Sequence, residues 1–264
     1  MSPCIKARRA RPLLGTFVEI GLSAPNESIL RRAFAVGFIA IAEVQRLMNR
    51  HDPASEISRL NRAALQRKVS LHRWTFTVLR TAQSLASESG GAFDATRGPG
   101  SSWRDLLIDD AGAVRFRRPL KLDLGGIAKG FAVDRAVDAV RKAGAIAGIV
   151  NAGGDLRAFG DEPQSIHIRH PLDPGHSAGT VVLRERALAT SAAYFAPALF
   201  DGRSGAPIGN GVSATVAAPD CLTADGLTKI SLALETEAAR ILARHDAEAF
   251  LLRGNSSPCW LRRQ

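Results

Sequence analysis

The sequence predicts an α+β fold. Two observations lead there: helix-period and strand-period segments are mixed along the chain without a strict strand–helix–strand alternation, and glycine-rich turns separate them. A third sets the scale. At roughly 150 residues per domain, 264 residues make one large domain or two fused lobes. A chain this long, 45% hydrophobic and 23% charged, buries a core without disulfide or metal staples.

Residues 1–12 are basic and lack an apolar stretch, so an unstructured arm is expected there. Leu13–Leu22 alternates weakly and is rich in Thr, Phe, Val and Ile, which predicts one strand. Asn26 is placed to cap a helix reaching about Asn49, with Ile29, Ala33, Val36, Ile39, Ala40, Val44 and Leu47 at the helical period. A loop with a short helix follows, then a helix over His72–Ser89 ended by Gly90-Gly91. Strands are expected at Ala113–Phe116 and Leu120–Leu124. The helix Ile127–Lys142 carries its apolar stripe on Ile127, Phe131, Val137 and Val140. Short strands are expected from Ala147 to Ala217, then a helix from Thr223 to Leu234, helical character over Glu237–Arg244 and a last strand at Ala249–Leu252.

Several function classes are disfavoured. No run of 18 apolar residues supplies a transmembrane helix, and no apolar leader follows the basic start, so a cytoplasmic location is expected. Cys4, Cys221 and Cys259 are odd in number and widely spaced, which argues against a disulfide framework or a zinc site. The net charge of +10 invites a nucleic-acid reading, but the arginines are scattered and no reader motif accompanies them, so no nucleic-acid partner is expected. Neither a HExxH zinc motif nor a GxSxG nucleophile elbow is present.

The densest chemical signal is KLDLGGIAKGFAVD, Lys121–Asp134. A strand runs into two glycines and a helix start, where backbone N–H groups and the helix dipole suit a phosphate, and Lys129 adds a full charge in the first turn. A tight strand–helix connection without a ligand explains the same residues. NAGGD (Asn151–Asp155) reads as a ligand loop or a hairpin turn, and GGAFD (Gly90–Asp94) as a ligand loop or a helix stop. Asp94, Asp123, Asp134, Asp155, Asp201 and Asp225 lie near these turns; carboxylates beside phosphate loops suggest a hard divalent cation. Asp225 alone reads equally as a helix N-cap.

Taken together and in order, LLGTFVEI, LMNRHDPASEISRLN, GGAFDATRGP, LDLGGIAKGFAVD, IVNAGGDLRAFG, ALATSAAYF, LFDGRSGAPI and TADGLTK resemble the FAD:protein FMN transferases, the ApbE-type flavin transferases. The resemblance runs from Leu13 to about Leu234. It implies a two-lobed α+β chain with a T-fold-like core and a flavin cleft. It further implies FAD as donor, magnesium as cofactor, and transfer of FMN to a Thr or Ser hydroxyl of a target flavoprotein with release of AMP. Such proteins often work outside the cytoplasm. On this sequence, cofactor contacts would fall on Leu14, His51, Ala92, Phe93, Asp94, Gly125, Lys129, Phe131 and Phe200. Metal ligands would fall on Ala128, Asp225 and Thr228. Asp201, as proton acceptor, and Lys229, as charge neutraliser, would be catalytic. The chain departs from the family pattern in five places. His51 replaces a Tyr, Leu14 a Met and Ala192 the Gly of a Thr-Ser-Gly run. Ala198 replaces a His in the segment ALFDGRSG, and Lys229 takes the slot of a liganding Thr, with Thr228 one place early. These departures motivate an alternative reading, an FAD-binding carrier or sensor without transferase activity.

Overall fold

Residues Ile5–Leu13 (β1) and Thr16–Ala24 (β2) pair antiparallel from Ile5↔Ala24 to Leu13↔Thr16. The expected single strand over Leu13–Leu22 is therefore two strands joined at Leu14-Gly15, and the expected unstructured arm is, from Ile5 onward, a paired strand. Both turn residues have positive φ, 57° and 71°. That is the two-residue turn whose twist matches a hairpin. The signal was missed because Leu, not Asn or Asp, occupies the first position. The computed structural model describes residues 4–97, 100–173, 175–192, 199–254 and 258–261.

Helix α1 (Glu27–Met48) starts where Asn26 Oδ1 accepts from Ile29 N at 2.9 Å, and buries Leu30, Phe34, Phe38, Ile41 and Val44. Helix α2 (Glu56–Ala63) is capped by Ser55. The next stretch holds β3 (Val69–Ser70), α3 (Arg73–Glu88), β4 (Thr96–Arg97), β5 (Leu106–Ile108), β6 (Ala113–Phe116) and β7 (Lys121–Leu122). Its strands form two small sheets, β3-β6-β5 and β4-β7. Then come α4 (Ala128–Lys142), β8 (Ala147–Ala152), β9 (Asp155–Phe159), β10 (Gln164–Arg169), β11 (Ser177–Leu183), β12 (Ala187–Ala192) and β13 (Val212–Ala218). The chain closes with α5 (Cys221–Leu234), α6 (Ala239–Arg244), β14 (Glu248–Arg253) and β15 (Cys259–Leu261).

Eight strands make one sheet in the order β1-β2-β8-β9-β12-β13-β14-β15, antiparallel at every step. Alternation gives it an apolar face of Val18, Ile20, Val150, Ala189 and Val216, which α1, α4 and α5 cover. The other face is covered in its middle by the β10–β11 hairpin through Leu156, Leu183 and Leu188. The fold is α+β. One hydrophobic core takes in both the large sheet (Val18, Val150) and the small-sheet stretch (Ile57, Val114, Phe116), so the two expected lobes share an interior. Among the described residues no helix is long and apolar enough to cross a membrane, and Cys4, Cys221 and Cys259 are all free.

Helices α4 and α5 meet closely, and that contact positions the site. Gly130 lies so near the start of α5 that a Cβ there would stand 2.1 Å from the Cys221 carbonyl oxygen. Asp134, buried on α4, accepts from Cys221 N at 3.0 Å and Leu222 N at 2.8 Å, and pairs with Arg157 at 2.8 Å. It thereby satisfies N–H groups at the α5 N-terminus that have no partner within the helix.

Candidate active site

A cavity of about 1340 Å³ opens between the β1–β2 turn, the end of α1, the GGAFD loop, the Gly125-Gly126 corner, the end of β12 and the Leu199–Gly205 segment. Eleven of the fourteen residues expected at the site line it: Leu14, His51, Ala92, Phe93, Asp94, Gly125, Ala128, Lys129, Phe200, Asp201 and Lys229. Phe131, Asp225 and Thr228 do not.

The glycine turns serve shape and site together. Gly90 and Gly91, at φ 62° and 94°, stop α3 and bring Ala92 and Phe93 into the cavity wall. Gly153 and Gly154, at φ 67° and 104°, make the two-residue β8–β9 turn, and Gly153 faces the cavity. Each loop makes the turn its sequence predicts, and its residues line the cavity.

The expected residues that fall elsewhere are corrections. Phe131 is 2% exposed and meets Trp74 edge-on at 6.0 Å; it is core, not a ring platform for a ligand. Asp225 is neither a loop residue nor an N-cap. The cap is Asp220, whose carboxylate accepts from Thr223 N at 2.8 Å, and Asp225 lies one turn inside α5, fully buried. Thr228 is also fully buried: its hydroxyl donates to the Asp225 carbonyl at 2.7 Å and meets Ser191 Oγ at 2.7 Å. Ala198, where the family pattern has its His, lies outside the described residues.

The glycine corner and α5 do meet. Gly130 N donates to Asp225 Oδ2 at 3.1 Å. The helix N–H expected to face a phosphate is therefore spent on a protein carboxylate. Lys229, four residues after Asp225, returns its ammonium to Asp225 Oδ1 and, at 3.0 Å, to the Asp225 carbonyl oxygen. Burial pushes the Asp225 carboxyl up, but Lys229, Lys129 and the Gly130 N–H outweigh it and hold it below the usual carboxylate range. Lys129 pairs with Asp155, which is 1% exposed. Burial pulls the Lys129 ammonium down, and Asp225 opposes that pull.

The remaining walls divide by chemistry. Asp123 Oδ2 holds Arg97 at 2.9 Å and Arg50 at 3.2 Å, while its Oδ1 accepts from Gly125 N at 3.0 Å. Neither arginine was singled out from the sequence, although both lie in quoted motifs, LMNRHDP and DATRGP. Asp94 accepts from Thr96 N, Thr96 Oγ1 and Trp103 N at 2.7–2.9 Å, so it orders its own loop; burial raises its carboxyl. Asp201 is gripped by Arg203 at 2.6 Å through Nη2, and this pairing holds its carboxyl below the usual range. That pairing makes the carboxylate a weaker base than a free one, which speaks against the expected role of Asp201 as proton acceptor. Leu14, Phe93 and Phe200 supply apolar surface; Phe200 is 43% exposed.

The cavity thus presents five cationic side chains, Arg50, Arg97, Lys129, Arg203 and Lys229, with buried Asp155 and Asp225 behind the two lysines. Asp94, Asp123 and Asp201 line the cavity as well; Asp123 is paired with Arg50 and Arg97, and Asp201 with Arg203, whereas the partners of the two lysines are buried. Such a site suits an anion carrying a flat apolar group.

A family model described as the ApbE family matches residues 14–251. The chain belongs to the ApbE family. A relative from Klebsiella pneumoniae (strain 342) named FAD:protein FMN transferase is 26% identical over 295 residues, covering 95% of this chain and 92% of its own. One of the same name from Vibrio cholerae is 28% identical over 229 residues, covering 71% and 69%. Among solved structures, this ApbE-family chain superposes on the apbe protein from Thermotoga maritima with a TM-score of 0.85 at 24% identity, covering 95% and 97%. It superposes on the flavin transferase ApbE from Vibrio cholerae with a TM-score of 0.83 at 23% identity, covering 98% and 97%.

The family resemblance implies magnesium, and the residues at its place do not fit that ion. Both Asp225 oxygens are taken, by Lys229 and by Gly130 N, and Thr228 is sealed behind them. Asp123, Asp134, Asp155 and Asp201 each hold a Lys or Arg. The orphan acceptor left at this place is Asp155 Oδ1, one atom and not a donor set. Among the described residues no group of three or more His, Cys, Asp or Glu is arranged to hold a metal.

Proposed function

We propose that this chain is an FAD:protein FMN transferase, moving FMN from FAD to a Thr or Ser hydroxyl of a target flavoprotein. The observation that carries the reading is that two lysines, Lys129 and Lys229, each backed by a buried carboxylate, share one cavity with the Gly125-Gly126 corner and the apolar side chains of Leu14, Phe93 and Phe200. In this reading the diphosphate lies against the two ammoniums and the isoalloxazine ring against the apolar wall. The cavity exceeds the roughly 300–1,000 Å³ of ordinary small-molecule sites, leaving room for an acceptor side chain beside a dinucleotide. The names carried by the curated relatives support the same activity.

In the transfer the acceptor oxygen forms a bond to the FMN phosphorus. The bridging P–O bond breaks, and its electron pair leaves with the AMP phosphate. The hydroxyl proton passes to that phosphate and on to water. The protein's part is positioning and charge: Lys129 and Lys229 donate to phosphate oxygens where charge grows on the leaving group.

The test is incubation with FAD and Thr-bearing acceptor peptides, read by mass spectrometry. Expected are a peptide heavier by one FMN residue and an equal amount of AMP. FAD bound with neither product would favour the carrier reading, which the pairing of Asp201 with Arg203 supports by leaving that carboxylate no basic role.

A further inference from the structure

Lys229 occupies the ground that a divalent cation would need. Its side chain is 13% exposed, and one helical turn carries its ammonium back over Asp225. Gly126 and Phe93 adjoin it: a Cβ on Gly126 would make ordinary contact with both, 3.5 Å from Lys229 Cε and 3.5 Å from the Phe93 ring. Two of the three ammonium hydrogens go to Asp225, one to the carboxylate and one to the carbonyl. The third is left for a ligand. The same carboxylate is fixed from the other side by Gly130 N, so it cannot turn to face another cation without giving up that bond.

We propose that Lys229, backed by Asp225, is a built-in monovalent substitute for a divalent metal, so that this chain binds the FAD diphosphate and releases AMP without one. The inference rests on the FAD reading above. A cation tethered four residues from its counter-ion competes at high effective concentration with any free ion. Its compact charge meets phosphate oxygens as a point donor. Lys129, held by Asp155 at the start of α4, supplies the second donor. Buried carboxylates behind both ammoniums hold them in place at the cavity wall.

The experiment uses the full chain stripped with EDTA. FAD binding is followed by flavin fluorescence in EDTA and in MgCl2, and Mn2+ binding by electron paramagnetic resonance. Expected for the wild type are equal FAD affinities within about twofold and a free Mn2+ spectrum. In Lys229→Thr, FAD affinity should fall about tenfold in EDTA and recover with Mg2+. Lys229→Arg should need no metal. The proposal is overturned if Mg2+ strengthens wild-type FAD binding about tenfold, if the wild type binds Mn2+ stoichiometrically, or if Lys229→Thr binds FAD normally in EDTA. The wild-type arms decide the matter should the Thr variant not fold. Metal-stimulated FAD binding sinks this inference alone; no FAD binding under either condition sinks the FAD reading with it.

Discussion

Asp201 lines the cavity, and its carboxylate is held by Arg203, two residues on, a partner that only the coordinates reveal. Because the carboxyl is held below its usual value, it is already ionised well below neutral pH, and protonation on acidification comes late. Its contribution to stability is present above the unfolded-state pKa of about 3.9 and is lost as pH falls through the lower folded value. It therefore adds no titration between about pH 5.5 and 8.5. A pH–rate profile of Asp201→Asn should keep the wild-type shape over that span; an acidic limb present only in the wild type would restore Asp201 as a base. Gly130 makes the complementary case. The sequence offers it as a member of a glycine-rich loop, yet its task is to let α4 approach the Cys221 carbonyl. Gly130→Ala should lower the urea-derived stability by about 1–3 kcal/mol through overpacking, and should weaken FAD binding because Gly130 N fixes Asp225.

At the scale of elements, periodicity located the helices well, because α1 and α3 each bury one stripe, while α4 is buried on most of its sides. Strand ends were harder. The β1–β2 turn was invisible because Leu14 holds a left-handed conformation usually given to Asn or Gly. The start of α5 was read two residues late, with Asp220 overlooked as its cap. Leu14 also bears on function. A Leu in this conformation costs roughly 1 kcal/mol, and its side chain lines the cavity. Leu14→Asn should relieve that strain and lose half-buried packing in similar measure. The net change in stability should be under about 1 kcal/mol by denaturant titration, while FAD affinity falls several-fold. A large loss of stability with unchanged affinity would refute a ligand-facing role for Leu14.

Over the whole molecule, the α+β class was legible from the mixed periodicities, and the glycine corner and α5 were expected to meet, as they do at Gly130 and Asp225. What the sequence could not show was which charges neutralise one another. That pairing is a long-range matter, as in Lys129 with Asp155 and Asp123 with two arginines. The shared core predicts a single cooperative thermal transition, with coincident far-ultraviolet and near-ultraviolet dichroism; two separated transitions would show that the small-sheet stretch folds by itself. The strand that replaces the expected basic arm has a consequence of its own. β1 is the outermost strand of the large sheet, and an outermost strand is a template on which other chains can add. Here it carries Lys6, Arg8, Arg9 and Arg11, with Pro12 near its end. Arg9 and Arg11 lay their guanidinium groups over the rings of Phe34 and Phe38, at 4.8 and 4.6 Å from the centroids. Lys6 and Arg8 are paired with Glu162 and Glu19, so it is the long charged side chains as a set, Arg9 and Arg11 among them, that encumber this open border while roofing the aromatic side of the first helix.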